Sequence, residues 1–188
     1  MNVNDMKIKM SVDGKNGISF LLSGLGVWAA ITLIFVLPLD LYYKNILMLL
    51  STGLMFPLSI AISKGLKADW KFLNNPLGDL GVYFNVGQFL YFPIIFWAFA
   101  HNPSMMVIFF AVITGAHFFP YGWLYDSKPF YVLSPIMSII PIVIGWNINE
   151  GALWYVPLTF AILLALLIFL LIKDYKKKEL LLQKEPSI

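Results

Sequence analysis

Six runs of seventeen to twenty-one mostly apolar residues fill the chain, near Gly17–Leu37, Asn45–Ser63, Leu80–Ala100, Met105–Leu124, Phe130–Trp146 and Ala152–Ile172. A run of about 20 apolar residues is what an α-helix needs to cross the hydrocarbon core of a bilayer. With 188 residues, 60% of them hydrophobic and 12% charged, little sequence remains for anything else. The expected fold is therefore an all-α membrane protein, a six-transmembrane-helix bundle occupying residues 17–172. Residues 1–16 form an N-terminal segment and residues 173–188 a basic tail. The connections Pro38–Lys44, His101–Ser104, Tyr125–Pro129 and Asn147–Gly151 are long enough only to turn, so neighbouring spans run antiparallel.

Orientation follows from lysine, the only basic residue type apart from histidine. Twelve lysines fall at the N-terminus, in the second and fourth connections and in the tail, and one, Lys44, falls on the opposite side. Positive loops stay in the cytoplasm, so both termini are expected to be cytoplasmic. The net charge of +3 is then explained by topology and acidic lipid headgroups, with no nucleic-acid partner implied. Residues 1–16 mix charges and lack an apolar h-region, so the first run is expected to remain as a span.

The connection Lys64–Asp79 sets Trp70 and Phe72 among lysines, as suits a stretch at headgroup level. The tail would extend the sixth helix beyond the membrane up to Pro186, with Leu180–Leu182 touching membrane, a partner or nothing. Proline follows a large residue at Phe56-Pro57, Phe92-Pro93, Phe119-Pro120 and Val156-Pro157, and the fifth span holds Pro135 and Pro141. Each removes a backbone donor and is expected to kink its helix. Small residues at Ser19 and Ser23, and at Gly26 and Ala30, permit close helix association within or between chains.

Polar side chains inside an apolar chain carry the functional information, because each needs a partner or a wet cavity. Asn85 and Gln88 share one face of the third span, while His117 and Tyr121 share one face of the fourth. The rise per residue puts Asn85, Gln88 and His117 at matching depth in the cytoplasmic half. Ser19, Ser23, Ser59, Ser134 and Ser138 fall in the same half, so a polar cluster open to the cytoplasm is expected. The ligand-binding candidates are Asn85, Gln88, His117 and Tyr121, with Trp123 as an apolar wall. Asp79 would cap a helix start, and Asp126 would pair with Lys128.

The absence of cysteine excludes disulfides and thiolate sites, and two histidines without a mid-span acid make no metal site. No cofactor is expected. P-loop, GxGxxG and GxSxG patterns are missing. An intramembrane enzyme would have to use His117 as its base with a serine. The competing readings are a bundle that binds or moves a small amphipathic or aromatic molecule, and a substrate-binding or accessory subunit of a larger complex. Membrane lipids, a small-molecule ligand, self-association and a larger complex are the partners in view.

The stretches NGISFLLSGLGVW (Asn16–Trp28), FPLSIAISKGLK (Phe56–Lys67), NPLGDLG (Asn75–Gly81) and AHFFPYGWLYDSKPF (Ala116–Phe130) together resemble domain-of-unknown-function family 7010. The likeness runs by motif over the first five spans and is most specific in Ala-His-Phe-x-Pro-Tyr-x-Trp-Leu-Tyr. It implies a small integral membrane protein of the bacterial inner membrane. It brings no activity and no functional residues.

Overall fold

The computed structural model describes residues 2–72 and 75–184. Pro186 and two residues of the second connection, Leu73 and Asn74, lie outside them. Among the described residues all regular structure is helical, and six helical segments are long and apolar enough to cross a membrane. A short amphipathic-looking surface would not explain this pattern: a backbone in lipid must satisfy its own polar groups, and the helix does so within one segment.

The N-terminal segment is itself helical. Helix α1 covers Val3–Asp13 and is started by a capping box in which Asn2 and Asp5 bond each other's backbone N–H. Its apolar residues do not follow a helical period, yet its buried positions do: Lys7, Met10, Ser11 and Gly14 form an i, i+3, i+4, i+7 stripe. Three successive residues, Lys15, Asn16 and Gly17, then adopt left-handed backbone angles (φ 50°, 53° and 71°) and reverse the chain into the first span.

The first span, α2 (Ile18–Val36), is the most enclosed of the six, half of its apolar window being buried. The second span is α3 (Leu41–Thr52) followed by α4 (Met55–Leu66). The third is α5 (Gly78–Gly87), a 3-10 turn at Gln88–Tyr91, and α6 (Phe92–His101). The fourth is α7 (Pro103–His117) and α8 (Phe119–Leu124), the fifth α9 (Lys128–Asn147), and the sixth α10 (Tyr155–Lys184). Span one packs between spans two and six; span six continues to span five, five to four, and four to three. Trp28 ties spans one, four and six together, its ring 4.1 Å from Phe160 and 5.3 Å from Phe110. The third span is peripheral, with only 11% of its window buried.

The prolines divide into two groups, which corrects the expectation that all of them kink. Pro57, Pro93 and Pro120 each follow a break, because each withholds the N–H that would bond the carbonyl four residues earlier, at Gly53, Phe89 and Ala116. Pro157 instead lies in the first turn of α10, where no donor is needed. Pro135 and Pro141 remain inside an uninterrupted α9. There α7 lies directly against α9: a Cβ on Gly115 would sit 2.8–2.9 Å from the backbone carbon and oxygen of Met137. The Met137 carbonyl is the one Pro141 leaves without its helical donor.

Helix α1 and the C-terminal part of α10 meet at the lysine-rich end. Asn16, fully buried, donates through Nδ2 to the Asp174 carboxylate at 3.0 Å and to the Leu171 carbonyl at 3.2 Å, and accepts from Ser11 Oγ at 2.5 Å. The Lys178 ammonium donates to Asp174 at 2.7 Å, Ser11 Oγ at 3.0 Å, and the Tyr125 and Asp126 carbonyls at 2.9 and 2.8 Å. The tail up to Lys184 is thus a continuation of α10, locked to the bundle at Lys178, while Leu180, Leu181 and Leu182 remain exposed. Asp126 serves through its carbonyl. Among the described residues the ion pair is Asp174 with Lys178, so the expected Asp126–Lys128 pair does not form. Asp79 lies in the first turn of α5 without a side-chain capping bond.

Two substitutions test this packing. Gly115→Ala is expected to cost about 1–3 kcal/mol through overpacking against the α9 backbone, read as a lower midpoint of unfolding in mixed micelles. Lys178→Met leaves four acceptors without their shared cation and is expected to cost about 1.5–3 kcal/mol. An unchanged midpoint for both would show that neither contact holds the bundle.

Candidate functional site

Four of the sequence candidates lie on spans three and four, and Tyr121 is the one whose contacts cross from one span to the other. Helix α5 carries Gly81, Phe84 and Asn85 at helical spacing, Gln88 opens the following 3-10 turn, and these two elements pack against α8 and α7 respectively. The Tyr121 hydroxyl donates to the Gly81 carbonyl at 3.2 Å, and its ring meets Phe84 edge-on at 5.6 Å. Asn85 Nδ2 donates to the same Gly81 carbonyl at 2.9 Å. One backbone oxygen therefore gathers an amide from its own helix and a phenol from the next.

His117 ends α7, and its ring stands edge-on to Tyr121 at 5.3 Å. From the Gly81–Tyr121 contact, four residues along each antiparallel helix lead to Asn85 and to His117, both about 6 Å deeper into the bundle. Gln88 lies one turn further, where the third span changes from α to 3-10 geometry. Asn85, Gln88 and His117 are each half-buried. Among the described residues, the His117 ring and the Gln88 amide form no hydrogen bond within the chain, and Asn85 Oδ1 receives none. A 3-10 segment interrupts span three at Gln88–Tyr91, and span four breaks beside His117.

Trp123 has a different place. Two residues beyond Tyr121 on a helix is about 200° around it, and there the indole carries the Lys7 ammonium 3.7 Å above its ring. It holds α1 onto the bundle by a cation–π contact. The aromatic run His117–Tyr125 thus serves two sides: Tyr121 and Tyr125 stack inward at 6.0 Å, and Trp123 faces the N-terminal helix.

The serines do not gather into the expected cluster. Ser19 and Ser63 bond each other at 2.7 Å between spans one and two, and Ser23 donates to the Met55 carbonyl. Ser59, Ser134 and Ser138 donate to carbonyls of their own helices, Ser138 also to Val112 of α7. These hydroxyls are spent on helix packing, because in lipid the nearest acceptor is a carbonyl one turn back. Among the described residues no group of three or more His, Asp or Glu could hold a metal ion.

Sequence reasoning missed the Ser11–Asn16–Asp174–Lys178 knot. Its one advance signal was the Asn16-Gly17 pair, a dipeptide suited to left-handed backbone.

Residues 3–174 match the model of a family described as a family of unknown function, DUF7010, and the chain belongs to that family. The match reaches past the first five spans into α1 and most of α10, the two elements joined by the polar knot. Among curated proteins and among solved structures nothing matches.

The two roles assigned to neighbouring aromatics separate by proteolysis. Trp123→Ala is expected to speed cleavage within residues 3–13, since it frees α1, whereas Tyr121→Phe leaves that rate unchanged. Equal rates in the two variants would place α1 elsewhere than on Trp123.

Proposed function

We propose that this member of the DUF7010 family binds a small amphipathic or aromatic molecule between spans three and four, in the cytoplasmic half of a bacterial inner-membrane bundle, and that it moves such a molecule across or within the bilayer. The reading rests on one observation: His117 and Gln88, half-buried inside membrane spans, have no hydrogen-bonding partner of their own among the described residues. In lipid a polar group without a partner is costly, and it is kept where it meets a substrate, an ion or water. Asn85 Oδ1 adds a free acceptor at the depth of His117, while Phe84 and Tyr121 supply apolar and stacking surface. A ligand with one polar end and one flat apolar end matches that lining.

The helix breaks favour movement over static binding. Spans two, three and four are each interrupted, and interrupted spans are how transporters place polar backbone and side chains at membrane depth. Catalysis has less support, because a His117 base would need a hydroxyl nucleophile and the candidate serines are bonded elsewhere. The lysine distribution supports the cytoplasmic assignment of this half.

Native mass spectrometry on protein extracted in mild detergent tests the reading. Wild type is expected to carry an additional small-molecule mass. His117→Ala and Gln88→Leu should retain it roughly ten- to hundredfold less, the loss of one buried ligand hydrogen bond, with the unfolding midpoint unchanged. Equal retention in all three proteins, or loss of folded protein in both variants, overturns it.

A further inference from the structure

The opposite end of the bundle holds a second feature, distinct from the His117 region. A cavity of about 240 Å³ lies between the end of span one, the start of span two and the start of span six, lined by Phe35, Leu39, Leu41, Lys44, Glu150 and Gly151. Its two ionisable side chains have opposite charge. Lys44 is the single lysine on this side of the chain. It departs from a bias of twelve to one, so its position calls for a local reason.

Part of that reason is structural. The Lys44 ammonium donates to the Phe35 carbonyl at 3.0 Å, near the C-terminus of α2, where a cation meets unpaired carbonyls and the negative end of the helix dipole. An ammonium has three donors, and this bond uses one. Glu150 lines the same cavity from the far wall, exposed at the head of the sixth span. The two charges do not meet: among the described residues the ion pair within 4.0 Å is Asp174 with Lys178. The nearby Asp40 caps α3 through the Tyr42 N–H at 2.8 Å and, among the described residues, forms no ion pair with Lys44 either. A cation and an anion therefore face a shared space without closing it.

The level of the cavity identifies what reaches it. Tyr42 and Tyr43 beside Lys44 are exposed, as are Trp146 and Tyr155 on the neighbouring helix ends, and Trp154 stacks on Tyr155 at 3.8 Å. Such a belt of tyrosine and tryptophan marks the headgroup layer. Leu39 and Leu41 add apolar lining beside the charged pair.

We propose that this cavity binds the zwitterionic headgroup of an ethanolamine phospholipid, with the phosphate on Lys44 and the primary ammonium on Glu150. The two free Lys44 donors meet phosphate oxygens, as charge-assisted hydrogen bonds. The Glu150 carboxylate accepts from the lipid ammonium, a contact that an anionic glycerol headgroup does not offer and that a choline headgroup, lacking N–H, makes poorly. Recognition therefore needs both charges, and selectivity between lipids lies in Glu150.

The test uses full-length protein, delipidated in detergent and titrated with phosphatidylethanolamine, phosphatidylglycerol or phosphatidylcholine, with binding read by native mass spectrometry. Wild type should prefer phosphatidylethanolamine over each of the others by about tenfold, the size of one charge-assisted hydrogen bond. Glu150→Gln should abolish that preference over phosphatidylglycerol, weakening the ethanolamine lipid while binding of the latter holds or rises as the like charge is removed. Lys44→Met should weaken binding of both. Lys44→Arg, which keeps a cation on the Phe35 carbonyl, should restore it and guards against a variant that merely misfolds. Competition by free phosphoethanolamine as effective as by the intact lipid would assign the site to a soluble zwitterion and overturn the lipid assignment. Equal affinity of wild type for the three lipids, or a preference that survives Glu150→Gln, would overturn the site itself.

Discussion

Hydrocarbon offers no hydrogen bonds, and that single property organises this chain. Every backbone group inside the bilayer must be paired by the protein, so the spans are helices, and every departure from helix geometry needs compensation. Three spans depart from it beside proline, and they are spans two, three and four. The fifth carries two prolines in its interior and stays continuous, packed against α7. The sequence position of a proline alone therefore does not decide whether its span breaks.

The same constraint accounts for how polar side chains are distributed. Serine and threonine hydroxyls are short and turn back onto carbonyls, as Thr32, Thr114, Ser134 and Ser138 do, so they vanish into helix packing. Longer side chains reach away from the backbone and must find something else. Asn16, Asn45 and Asn75 donate to distant carbonyls, at Leu171, Pro103 and Met6, and stitch separate parts of the fold together. Asn85 turns back onto Gly81 of its own helix, and among the described residues the His117 and Gln88 side chains at membrane depth bond to neither a near nor a distant group of the chain. The polarity that matters for function is thus the remainder after packing has taken its share.

The spans themselves were legible because hydropathy over about 20 residues is a long, redundant signal. All six runs read from the sequence coincide with helical segments. Helix α1 was not legible for the opposite reason: its buried stripe is Lys7, Met10, Ser11 and Gly14, residues whose types carry no apolar period. Lys7 is buried because Trp123 accepts its charge, and Ser11 because Asn16 and Lys178 surround it. Such burial is a property of pairs, and a scan along one strand of sequence sees only single members. For the candidate site, helical spacing puts His117 beside Tyr121, whose rings stand 5.3 Å apart, while Gln88 falls in the 3-10 turn that follows the helix of Asn85. Trp123 was assigned by proximity in sequence, which a rotation of about 200° from Tyr121 undoes in space.

The left-handed turn at Lys15–Gly17 shows how the two ends of the chain depend on each other. An L-residue in that region costs roughly 1–2 kcal/mol, and Lys15 and Asn16 adopt it in succession. What offsets the cost comes from far along the chain. Lys15 Nζ bonds the Leu66 carbonyl at the end of α4, and Asn16 bonds Leu171 and Asp174 on α10. Until the sixth span is in place, Asn16 lacks its acceptors at Leu171 and Asp174, and the turn keeps only the Lys15 bond to Leu66 and its contacts with α1. Full docking of α1 is therefore conditional on the last helix of the bundle as well as on Trp123. The Lys178 ammonium, shared between α10, Ser11 and the carbonyls that follow α8, makes that condition a single polar contact on which the N-terminal helix, the fourth span and the tail all converge.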